Sequence, residues 1–149
     1  MRHHWLIPIP LIVAISCAQV PSYGNYGNTI ANAPHHLLLP LAEHNRPNNQ
    51  GAMGRNKPTY FHVRFQLGLH HLANYGLATK QSEGIEHFFN AAEYAFRFQL
   101  ASGDFSLVVP TELQGLGTPS IANRASGVAF FASSLGSGIY ALETSQWFQ

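Results

Sequence analysis

The sequence predicts an all-α protein, built of antiparallel helical hairpins behind an irregular N-terminal arm. Three observations predict it. Residues 120–142 repeat apolar positions at alternating spacings of 4 and 3, the period of one helix face. Residues 83–101 carry an apolar stripe with Ser82 ahead and Gly103 behind, residue types that start and stop helices. Residues 58–75 open on Pro58, end before Gly76 and place Phe61, Phe65, Leu69 and Leu72 on one face.

The first predicted helix also lines up His62, Gln66, His70 and Asn74 on a second face. In the next, Glu83 and Glu86 suit the positive helix start, and Ile85, Phe88 or Phe89, Ala92, Phe96 and Leu100 form the stripe. The last is the most regular: Ile121, Ala125, Val128, Ala132, Leu135, Ile139 and Leu142. Beside that stripe lies a face of mostly small residues, Gly127, Phe131, Ser134 and Gly138. Glycines inside an exposed helix cost about 1 kcal/mol each against alanine, so Gly136 and Gly138 imply close packing or a break. Phe105 to Val109 reads as a short strand or extended crossing, and 110–119 as a loop.

Ahead of these elements stand two other regions. Residues 1–18 have the anatomy of an export signal: Arg2, His3 and His4, an apolar run from Trp5 to Ile15, then Ser16-Cys17-Ala18. The run is too short to span a bilayer, which takes about 20 residues. Cleavage after Ala18 fits the small-x-small rule. Ala14-Ile15-Ser16-Cys17 also forms a loose lipobox, which would put a lipid on Cys17. Residues 19–57 are rich in Asn, Gly, Pro and His and read as an irregular polar arm. That leaves 58–149 as the helical domain. Trp147 and Phe148 have little chain left to bury them, so the domain is expected to continue beyond Gln149.

The 149 residues suffice for one domain. Lys and Arg total 8 against 7 Asp and Glu. Without a basic field, nucleic acid is not an expected partner. Charged residues make up 10% of the chain, where about 25% is usual. Part of the apolar surface therefore meets a partner, or Asn, Gln, Ser and His keep the protein soluble. Cys17 is the one cysteine, so a processed chain has no disulfide framework. Membrane contact is expected only through the export segment or a lipid on Cys17.

Ala91, Tyr94-Ala95, Gln99, Gly103 and Phe105 together resemble the QW repeat of the α/α-toroid superfamily, which includes squalene-type terpene cyclases. Tyr94 to Phe105 is also similar to helical hairpin edges in toroidal polysaccharide lyases and glycoside hydrolases. In such a motif the Gln99 amide bonds free backbone groups at a neighbouring helix end and Phe105 covers it. The resemblance implies a partial α/α-toroid-like array. It occurs once, with Phe105 in place of the usual Trp and without the acidic cyclase motif, so it implies architecture rather than cyclase activity.

A lyase of that kind needs a cation or amide to neutralise a uronate carboxylate, and a Tyr or His to move the proton. His44, Tyr60 and His62 are the catalytic candidates; Asn45, Arg46 and Arg55 are the substrate-binding ones. The competing reading is an ordinary polar loop ahead of a helix. Glu86 and Glu93 share a helix face but sit about 10.5 Å apart along the axis, a marginal spacing for glycoside hydrolysis. Asp104 suits a turn. Of the 9 histidines, His3 and His4 lie in the export segment, and His35-His36 and His70-His71 are adjacent pairs beyond it. Neighbours on a helix point about 100° apart, and HExxH is absent, so no metal and no cofactor are expected. The expectation is an exported N-terminal part of a toroid module that acts on or binds a polysaccharide, as a lyase or glycosidase. The alternative is a non-catalytic envelope protein or lipoprotein whose last helix mediates helix–helix association.

Overall fold

The computed structural model describes residues 25–108 and 121–148. The export segment, Cys17 and the 110–119 loop lie outside the described residues. Five α-helices follow one another: α1 (Tyr26–Ala31), α2 (His35–His44), α3 (Leu69–Thr79), α4 (Ser82–Phe96) and α5 (Ile121–Glu143), with a short 3₁₀ turn at Val63–Gln66. Among the described residues there is no sheet, only isolated bridges such as Phe61 to Val108 and Gln99 to Phe105. The all-α class holds. α3 lies at the centre, packed against α1, α2, α4 and α5.

The N-terminal arm is not irregular where it is described: it holds α1 and α2. Pro34 precedes the first turn of α2, where a missing N–H costs nothing, and the leucines that follow are good helix formers. Pro40 sits inside the helix, but Pro40 and His36 are exposed, so the carbonyl left without a partner meets water. The Asn45 side chain closes the end by donating to the Leu41 carbonyl at 2.7 Å.

The first predicted helix is displaced. Gly68 turns the chain with φ +109, a conformation open to glycine, and α3 starts only beyond it. The chain before Gly68 forms turns, a bridge and the 3₁₀ element instead. Gly76 does not stop the helix; it lies within α3, where a methyl on Gly84 would come within 2.8 Å of the Gly76 Cα. These two glycines let α3 and α4 touch backbone to backbone.

α4 ends at Phe96, five residues before the expected Ala101, because the chain folds back there. Leu100 N–H donates to Asp104 O at 2.7 Å and Ser106 N–H to Phe98 O at 2.8 Å. Gly103 (φ +86) serves this turn rather than the helix end. Phe96 and Leu100 are consequently exposed. Around the turn, Phe61 stacks on Phe98 with centroids 4.0 Å apart, and Phe105 meets Phe131 edge-on at 5.3 Å. Burying each such ring contributes about 1.5–3 kcal/mol.

α5 has the expected extent. Its small-residue face is the buried one: Gly127, Phe131, Ser134, Gly138 and Ala141 face the core. A methyl at Gly138 would overlap the Phe88 ring. From the regular apolar stripe, Ala125, Ala132 and Ile139 are exposed, Val128 and Leu135 are half-buried, and Leu142 is buried.

Candidate functional site

The end of α2, the start of α3 and one flank of α5 enclose a groove of about 490 Å³, within the range of small-molecule sites. Leu41, His44 and Asn45 form one wall, Leu67, Gly68, His70 and His71 the floor, and Phe130, Ser133, Ser134 and Ser137 the other wall. None of these residues is Asp, Glu, Lys or Arg. Phe130 is 55% exposed and Leu41 44%, so the rim is apolar over a neutral polar floor.

The floor is held by a hydroxyl. Ser134 Oγ accepts the N–H of Gly68 at 3.0 Å and of His70 at 3.3 Å. It also lies 2.9 Å from His70 Nδ1. With its lone pairs so engaged, the hydroxyl donates to Nδ1, which leaves the proton of neutral His70 on Nε2. The His70 and His71 rings lie 3.9 Å apart, tilted by 41°. Burial lowers the pKa of His70. Burial, together with the neighbouring His70, lowers that of His71 to about 4. Both are neutral at pH 7.

The six residues singled out in the sequence do not form one cleft. His44 and Asn45 belong to the groove. Arg46 lines a hollow of about 200 Å³ on the other side of α2, where its guanidinium pairs with Glu83 at 2.6 Å. His62 is buried, and its Nδ1 accepts the Arg64 N–H at 3.0 Å; burial, then the Arg64 charge, lowers its pKa. Tyr60 stands against Phe65, centroids 6.1 Å apart, and Arg55 is exposed. The loop before the predicted helix folds back on itself, so closeness in sequence does not become a shared site. Among the described residues, no group of three or more His, Cys, Asp or Glu is placed to hold a metal ion.

The QW-like residues also arrange themselves differently. The Gln99 amide donates to Gly103 O at 3.2 Å within its own turn, not to a neighbouring helix end, while Phe105 is buried against Phe96 and Phe131. The glutamine that ties elements together is Gln66. Its Oε1 accepts from Met53 N–H and Asn56 Nδ2, and its Nε2 donates to the carbonyls of Gly51 and Ala91. The sequence signal for Gln66 was its place on a face with His62 and His70; nothing there marked it as buried.

No family model matches the chain, and no curated protein and no solved structure matches it either. The toroid resemblance therefore rests on the sequence motif alone.

Proposed function

We propose that this is an exported, non-catalytic domain whose α2–α3–α5 groove binds a neutral saccharide. One observation carries the reading: the groove is lined by imidazoles, hydroxyls and exposed apolar side chains, with no charged residue among them. A sugar ring offers an apolar C–H face, suited to Phe130 and Leu41, and hydroxyls that both donate and accept. His44, His70 and His71 and the serines answer those hydroxyls in kind. A uronate would require a cation, and the nearest sequence candidate, Arg46, faces the other hollow with Glu83. Two placed carboxylates are what a glycosidase needs, and the groove offers none.

Isothermal titration of neutral and acidic oligosaccharides into the protein tests this. Binding of a neutral oligosaccharide is expected, little changed by salt because no charge pair forms. Phe130→Ala should weaken it by about tenfold, the equivalent of one aromatic contact. Preference for uronates, or no response to Phe130→Ala, rejects the groove reading.

A further inference from the structure

We propose that the outer face of α5 pairs antiparallel with the same face of a second copy of this chain. No Asp, Glu, Lys or Arg occurs between Arg124 and Glu143. Ala125–Glu143 is apolar enough to cross a membrane, yet only 33% of its most apolar stretch is buried within the chain. The face left outside has a gradient of size. Ala125, Ala129, Ala132 and Gly136 are exposed along its first part, Ile139 and Tyr140 along its last. Trp147 and Phe148, 40% and 46% exposed, extend the bulky end.

That gradient selects the partner. Two copies side by side and antiparallel set the bulky end of each against the small end of the other, and the contact closes on itself as a two-fold pair. Parallel copies would set bulk against bulk. The antiparallel pair also opposes the helix dipoles. Gly136 stands near the crossing. A methyl there would meet nothing within 4 Å in the monomer, so the fold of one chain supplies no reason for glycine. Close approach of a second backbone does.

The 23 residues of α5 form a strip about 34 Å long and about 10 Å wide. Two such strips, with the aromatic ends, bury roughly 1,000 Å², the lower limit for a specific interface. The pair is therefore weak.

Sedimentation equilibrium of the full chain, over about 1 µM to 1 mM, tests the proposal; affinities of transient pairs fall in that window. The expected result is a shift from one copy to two. Gly136→Leu should weaken the association at least tenfold while the melting temperature in dilute solution does not fall. Ala132→Glu, which places like charges in the contact, should do the same. Monomer at every concentration overturns the proposal, as does a dimer indifferent to both substitutions. A monomer that floats with phosphatidylcholine vesicles assigns the face to lipid and overturns it as well.

Discussion

Ser134 of α5 caps α3 from 64 residues away, through the backbone N–H of His70. The residue flanking the helix, Gly68, has no side chain with which to cap it. The first N–H groups of a helix lack partners within it, and here a hydroxyl from another helix provides one. Ser134→Ala removes the acceptor for two backbone donors and the donor for His70 Nδ1 in a buried place. The expected cost is about 1–3 kcal/mol, read as a lower melting temperature in calorimetry. Ser134→Thr should recover part of it. An unchanged melting temperature for Ser134→Ala would remove the capping role.

Gln66 gives a larger effect. It is fully buried, and its amide makes four hydrogen bonds, reaching 2.7 Å to the Ala91 carbonyl on α4. Gln66→Leu keeps the volume but strands the Met53 N–H, the Asn56 amide and the Gly51 carbonyl. Each stranded group costs about 1–3 kcal/mol, so urea denaturation should show a loss of several kcal/mol, or no folded protein. Gln66→Glu removes the two donors and places a carboxylate in the core, and should be at least as damaging. A loss within about 1 kcal/mol for Gln66→Leu would place the 48–56 loop outside the cooperative unit.

These two residues mark the limit of what the sequence discloses. Periodicity located the beginnings of α4 and α5 to within a residue, because those helices are long and regular, while α4 stops five residues short of the expected Ala101. Gly76 and Gly103 misled, because a glycine also marks close helix contact or a tight turn. Periodicity also named two candidate faces on α5 without deciding between them; the choice depends on how near α3 and Phe88 can come. His44 and Asn45 were legible as polar residues at a boundary. His70, His71, Ser134 and Phe130 were not legible as their companions, since they meet only through long-range packing.

Two glycines two residues apart on α5 should respond in opposite directions to the same change. Gly136 is exposed, with open space where a methyl group would stand; Gly136→Ala should stabilise a dilute sample by about 0.5–1 kcal/mol through helix propensity. Gly138 is buried against the Phe88 ring. Gly138→Ala forces that ring aside in a packed core, and overpacking of this kind costs about 1–3 kcal/mol. Thermal denaturation of the two variants side by side checks the orientation of α5. Stabilisation by Gly138→Ala would mean that the helix turns its other face inward.

The histidines of the groove floor make stability depend on pH with a definite sign. His71 titrates at about 4 in the folded chain, and His62 and His70 are shifted in the same direction. In the unfolded chain all three titrate near 6.5. Above that value both states are neutral and the stability is complete. As pH falls from about 6.5 toward 4, the unfolded chain takes up protons that the folded chain refuses, so stability is lost. Below about 4 the folded His71 also binds a proton and its share of the loss levels off. Protonation of His70 further converts Nδ1 into a donor and breaks its bond from Ser134. The melting temperature should therefore decline across about pH 6.5 to 4, and His71→Gln should make the decline shallower while leaving the value at about pH 8 less affected. A profile of His71→Gln parallel to that of the parent would show that His71 is as well solvated in the folded chain as in the unfolded one.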